Sequence, residues 1–135
     1  MLEHKIFEGL KSSYEQEIEI IHSIPGELDY LLSTPQIVKL IILASAKMLD
    51  PLLPEQYITI GTHLDLYHEQ PTLVMEEGAI RVELTVAKIE EDHIWLDVEC
   101  FDKVGRVSRG KYERAIVDKE RLRFSTYERM DRHKL

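Results

Sequence analysis

Residues 33–49 read Ser33-Thr34-Pro35-Gln36-Ile37-Val38-Lys39-Leu40-Ile41-Ile42-Leu43-Ala44-Ser45-Ala46-Lys47-Met48-Leu49. Ser33 or Thr34 can cap a helix, and Pro35 suits its first turn, where an N–H has no intrahelical partner to lose. Pro51 stops the helix just after Leu49. Only Gln36, Lys39, Ser45 and Lys47 interrupt the apolar residues, which fall on nearly every side. A helix apolar all round is a buried helix. Hiding it takes a sheet wrapped around it, and a second subunit beyond what one chain can cover.

The sheet is legible on both sides of the helix. Downstream, Tyr57 to His68 alternates, with Ile58, Ile60, Thr62, Leu64 and Leu66 on one face. Ala79 to Ile89 places Ile80, Val82, Leu84 and Val86 on one face, and His93 to Phe101 does the same with Ile94, Leu96 and Val98. Arg106 to Val117 is a fourth run, with Gly110 inside it. Glu90-Glu91-Asp92 and Asp102-Lys103-Val104-Gly105 have hairpin length, so the runs form an antiparallel meander. Upstream, Ser13 to His22 sets Gln16, Ile18 and Ile20 against Glu15, Glu17 and Glu19, a half-buried strand ended by Pro25-Gly26. The predicted order is strand, helix, four strands, in an α+β fold.

Composition narrows the function. The 135 residues suit one domain with its own core. A formal charge of -8 argues against nucleic acid, which needs a concentrated basic surface. The tail 118–135 is the exception, with six Lys/Arg against four Asp/Glu. The single Cys100 excludes an internal disulfide and fits a reducing cytoplasm. No leader is expected at the start, and no apolar run is long enough for a bilayer. No spacing suggests a metal site, a phosphate loop or a nucleophile elbow, so no cofactor is expected.

One spaced set carries the candidate chemistry: Ser33-Thr34-Pro35, then Gly61-Thr62-His63-Leu64-Asp65, then His68, then Pro71-Thr72. A helix-start hydroxyl, a strand glycine and a histidine before a strand-breaking proline are parts that acyl transfer uses. Thr34 reads equally as a helix cap. His68 shares parity with Leu64 and Leu66, so it faces inward, as a base or as a strand-end hydrogen-bonding group. Gly61 marks a bulge or a close backbone approach. Asp65 has the opposite parity to His68 and faces the other side, unless it reaches a partner subunit's site. Leu28, Tyr30, Leu31 and Leu32 form either a lid over an acyl pocket or a loop that staples the helix start. Ser45 is expected to bond back to its own helix. Arg106, Arg109, Lys111 and Arg114 form a basic patch, either a solvated face or a contact for phosphates.

A long buried helix wrapped by an antiparallel sheet is the hot-dog arrangement. The words Ser33-Thr34-Pro35, Gly61-Thr62-His63-Leu64-Asp65-Leu66-Tyr67-His68 and Pro71-Thr72 resemble the thioesterase branch of that superfamily, and within it the fluoroacetyl-CoA thioesterase-like proteins. Gly110-Lys111-Tyr112-Glu113-Arg114 is a weaker match, and the resemblance spans roughly Tyr14 to Phe124. It implies that Thr34 and His68 are catalytic and that the Gly61 backbone lies close to the acyl group; Thr62, Tyr30, Ile42 and Arg114 are the further substrate contacts expected beside them. It also implies a helix glutamate two turns after the threonine, where this chain has Ile42. The expected protein is therefore an acyl-CoA thioesterase, a hydrolase of small or medium acyl thioesters at a dimer-interface site. The alternative is a binding protein for acyl-CoA or a small acid, favoured by Ile42. Hydration of an enoyl thioester would need an acid–base pair that this sequence does not supply. The expected assembly is a homodimer, able to pair again into a tetramer. The domain is expected over residues 1–124, followed by a charged tail over 125–135.

Overall fold

The computed structural model describes residues 2–74 and 78–133. Five strands form one antiparallel sheet: β1 (Lys11–Glu17), β2 (Tyr57–His68), β3 (Ala79–Glu90), β4 (His93–Phe101) and β5 (Arg106–Asp118). Helix α1 (Thr34–Leu49) lies between β1 and β2 in sequence, and α2 (Lys119–His133) follows β5. The spatial order is β1-β3-β4-β5-β2. The two strands that flank the helix in sequence thus lie at opposite edges of the sheet.

The core forms where α1 meets the inward face of the meander. Ile80, Val82, Leu84, Val86, Ile94, Leu96, Val98 and Cys100 alternate inward and are buried, as their period of two requires. They meet Ile37, Leu40, Ile41, Ala44, Met48 and Leu49 of α1. The helix is not covered all round. Ile42 is 44% exposed and Leu43 is 42% exposed, because the sheet embraces one side of the helix only. Ser45 is buried and donates its hydroxyl to the Ile42 carbonyl at 2.8 Å, within its own helix.

Two strands differ from expectation. β1 begins at Lys11 and ends at Glu17 rather than running to His22. Glu17 pairs with Ala79, the first residue of β3, and the Ile18 N–H donates to the Gly78 carbonyl at 2.9 Å just past the strand. Ile18 still tucks into the core, but Ile20 is 80% exposed on a single turn of 3-10 helix, Ile20–His22. The turn is clamped by the Glu19 N–H donating to His22 Nδ1 at 2.8 Å.

In β2 the register shifts between Gly61 and His63, leaving Thr62 as an extra residue. Before this bulge the odd residues face inward, with Thr59 opposite Ile116 and Gly61 opposite Arg114. After it the even residues do, with Leu64 opposite Tyr112, Leu66 opposite Gly110 and His68 opposite Ser108. Ile58, Ile60 and Thr62 therefore do not share the face of Leu64 and Leu66. The bulge is the feature that the strand glycine signals.

α2 runs through residue 124, so the expected boundary there lies inside a helix. No described helix is long and apolar enough to cross a membrane.

Candidate functional site

A short ribbon delivers Thr34 to His68. Leu31 pairs with Leu73, the Leu32 N–H donates to the Thr72 carbonyl at 2.9 Å, and the Val74 N–H donates to the Tyr30 carbonyl at 2.8 Å. Leu32 is buried and anchors this ribbon in the core. Thr72, also buried, donates its hydroxyl to Asp102 Oδ2 at 2.9 Å. Pro71 ends β2 just past His68, and the chain turns back beside the start of α1. The segment 28–32 is accordingly half anchor and half surface, with Leu28 and Tyr30 exposed.

At the mouth of this ribbon Thr34 Oγ1 lies 2.8 Å from His68 Nδ1. Ser33 occupies the cap position of α1 but makes no side-chain capping bond, and Thr34 is the first helical residue. The Thr34 hydroxyl is therefore spent on the histidine. His68 is half-buried, and desolvation lowers its pKa below the ordinary imidazole value, while the Gln70 backbone pulls weakly upward. A neutral imidazole against a hydroxyl is a base–alcohol pair. The ring's other nitrogen, Nε2, is buried and has no hydrogen-bond partner.

Gly61 is not beside this pair within one chain. His68 lies seven positions further along the strand, roughly 23 Å at about 3.3 Å per residue. Its lack of a side chain serves Tyr112, whose hydroxyl occupies the place a Gly61 Cβ would take. Thr62 faces the outer side of the sheet, where its hydroxyl donates to Glu113 Oε2 at 2.8 Å. His93 Nδ1 reaches the same oxygen at 3.0 Å. The Thr62 hydroxyl and then His93 hold the Glu113 carboxyl below its usual range. Asp65 also faces outward, opposite Lys111 and away from the His68 of its own chain.

Arg114 does not belong to the expected basic patch. It is 3% exposed and faces inward. Its guanidinium donates from Nε to Thr59 Oγ1 at 2.8 Å, from Nη2 to the Thr59 carbonyl at 2.6 Å and from Nη1 to the Tyr112 hydroxyl at 2.9 Å. Thr59 in turn donates its N–H and hydroxyl to Asp50 Oδ1 at 2.9 and 2.7 Å. Thr59 thus relays the Asp50 charge at the end of α1 to the buried arginine. The other three cations do lie on the outer face, where Arg106 pairs with Glu99, Arg109 with Glu69 and Lys111 with Asp97. Ile42 sits on the uncovered side of α1 and is not sealed in a dry slot.

The sequence pattern did not single out Asp50, Thr59, Tyr112 or Ser108. Inward parity on β5 marks Ser108 and Tyr112 only once the β2–β5 register is known. Among the described residues, no group of three His, Cys, Asp or Glu side chains is placed to hold a metal ion.

A family model described as "FlK: Fluoroacetyl-CoA-specific thioesterase" matches residues 16–120. No curated protein matches the sequence. Among solved structures, a Thermus thermophilus hypothetical protein described as a thioesterase superfamily member is 22% identical, with a TM-score of 0.86 over 96% of this chain and 97% of that one. A hot-dog-like protein from Thermanaerovibrio acidaminovorans is 20% identical, with a TM-score of 0.83 over 90% of each chain. A mutant of the fluoroacetyl-CoA-specific thioesterase FlK bound to fluoroacetate and CoA is 17% identical, with a TM-score of 0.77 over 87% of this chain and 99% of that one. The fold is the α+β hot-dog.

Proposed function

The chain belongs to the fluoroacetyl-CoA-specific thioesterase family, and from that premise we propose that it hydrolyses a small or medium acyl-CoA thioester. The observation that carries the reading is the Thr34–His68 pair, joined at 2.8 Å across 34 residues of sequence. His68 Nδ1 draws the proton from the Thr34 hydroxyl as that oxygen attacks the thioester carbon. The carbonyl oxygen takes up negative charge, the C–S bond breaks, and the proton passes to the leaving thiolate. CoA departs as the free thiol, and water, giving its proton to His68, then cleaves the Thr34 ester to release the acid and restore the hydroxyl. His68 suits the task because burial keeps its base form populated below the ordinary imidazole pKa.

The oxyanion donor fits a two-chain site. β2 is a twelve-residue edge strand, and α1 leaves Ile42 uncovered. Antiparallel pairing of two β2 edges would carry the Gly61 end of one chain toward the His68 end of the other. We therefore place the site at a homodimer interface, and the protein in the cytoplasm. Arg114 supports the wall behind Gly61 through Tyr112, and Tyr30 borders the entrance. Fluoroacetyl specificity is not part of the proposal, since Ile42 stands where the resemblance implies a glutamate.

The test is thiol release from a panel of acyl-CoAs, acetyl to long-chain and aromatic, with wild type, His68→Ala and Thr34→Ala. The expected result is turnover that falls at least about a hundredfold in His68→Ala. No turnover by wild type, or turnover indifferent to His68, would sink the hydrolase reading. The binding reading that Ile42 favours would then predict an acyl-CoA that raises the melting temperature.

A further inference from the structure

The base–alcohol pair is only half specified by its own geometry. A neutral imidazole carries one N–H and one lone pair. If the proton is on Nδ1, the Thr34 oxygen accepts it and gains nothing as a nucleophile. If the proton is on Nε2, Nδ1 is free to take the Thr34 hydrogen. The group that meets Nε2 therefore decides whether the pair can react. A carboxylate does this in the Ser-His-Asp arrangement, but Nε2 here is buried with no partner.

Ser108 is placed to meet it. It lies directly opposite His68 in the β2–β5 ladder, on the same inward face. It is fully buried, and its Oγ is the other buried side-chain polar atom without a hydrogen-bond partner among the described residues. Directly opposed residues on one sheet face are near neighbours, and a buried polar atom without a partner is costly, so the two unpartnered atoms are natural candidates for each other. On its far side Ser108 is paired with Cys100, whose buried thiol is pushed up to about 11 by burial while the Ser108 hydroxyl pulls it the other way, as a donor toward the sulfur. A thiol is a weak acceptor, so the Ser108 lone pairs stay open to an N–H.

We propose that Ser108 is a positioning residue for His68, its hydroxyl accepting the Nε2 proton so that Nδ1 is left to accept from Thr34. Resting on the thioesterase reading of that pair, it supplies orientation in a chain that has Ile42 two turns after Thr34. Because serine is neutral, it orients the ring without adding a charge, and a desolvated imidazole stays unprotonated beside it.

Nitrogen NMR of the imidazoles, with His68 assigned by its absence in His68→Gln, reads which ring nitrogen carries the proton. At neutral pH and above, the wild type is expected to be protonated on Nε2. Ser108→Ala is expected to populate the Nδ1 tautomer, and Ser108→Thr, which keeps the hydroxyl, to restore Nε2. In the thiol-release assay Ser108→Ala should lower kcat about tenfold or more with KM within about twofold, a loss that Ser108→Thr recovers. A wild-type proton on Nδ1 would overturn the proposal. So would an Nε2 tautomer unmoved by Ser108→Ala, which would give the role to the Gln70 backbone. The tautomer needs no turnover to be read. An Nε2 proton lost in Ser108→Ala, in a protein that hydrolyses nothing, would defeat the thioesterase reading and leave this inference standing.

Discussion

At Gly61 a single methyl tests how closely β2 is fitted to β5. An added Cβ would occupy the place of the Tyr112 hydroxyl. Gly61→Ala should destabilise the fold by about 1–3 kcal/mol, and Tyr112→Phe in that background should return part of the loss, both read by urea denaturation. An additive pair of losses would show that the two residues do not compete for one space. His68 gives a prediction in pH. Burial lowers its folded-state pKa, so between that value and the ordinary imidazole range the unfolded chain holds more protons than the folded one. Stability should fall as pH drops through this window and level off below it. The urea midpoint of His68→Gln should be flatter across the same window, and equal slopes would contradict the burial argument. Thr34 and His68 were legible as candidates in the sequence because Pro35 directly follows Thr34 at the helix start and Pro71 lies three positions past His68, where the strand must end. Ser108 was not, since nothing local to it reports which residue lies opposite.

The elements are tied together by a buried charge. Asp50 at the end of α1 reaches Arg114 in β5 only through Thr59 in β2. Removing the acid leaves a desolvated guanidinium and an unpaired Thr59 N–H. Asp50→Ala should cost about 2 kcal/mol or more, toward the low end for a broken buried pair because Asp50 is partly exposed. The double variant with Arg114→Met should recover most of the loss, as an apolar side chain tolerates that site without a counter-charge. A double variant no better than Asp50→Ala would show that the arginine stays compensated without the acid. This relay explains why a basic-patch reading of Arg114 fails. Alternation puts Lys111 and Arg109 on one face of β5 and Arg114 on the other, yet spacing alone does not reveal a carboxylate 64 residues upstream. The same limit applies to β2. Gly61 announced an irregularity, but the shift of inward parity appears only when the strand is laid against β5. The end of β1 at Glu17 is likewise set by its pairing with β3 and not by its own alternation, which continues to Ile20.

For the whole molecule, the helix was the most legible part and also the most instructive misfit. Its apolar residues exceed what one sheet covers, and Ile42 and Leu43 are the surplus. With β2 also a long edge strand, sedimentation at micromolar concentration should give about twice the 15.8 kDa chain mass. A species of one chain mass would remove the shared-site argument for Gly61. The strand order has another consequence, which concerns birth rather than the finished fold. The helix leaves the ribosome before any of β2 to β5, and its last covering strand is complete only at Asp118. At ordinary synthesis rates that delay is on the order of ten seconds. Through it, the most apolar segment of the chain waits without the surface it was built to meet. The nascent protein therefore passes through a stage in which chaperone capture of α1 competes with folding, and variants that slow the pairing of β2 with β5 should lower soluble yield more than they lower final stability.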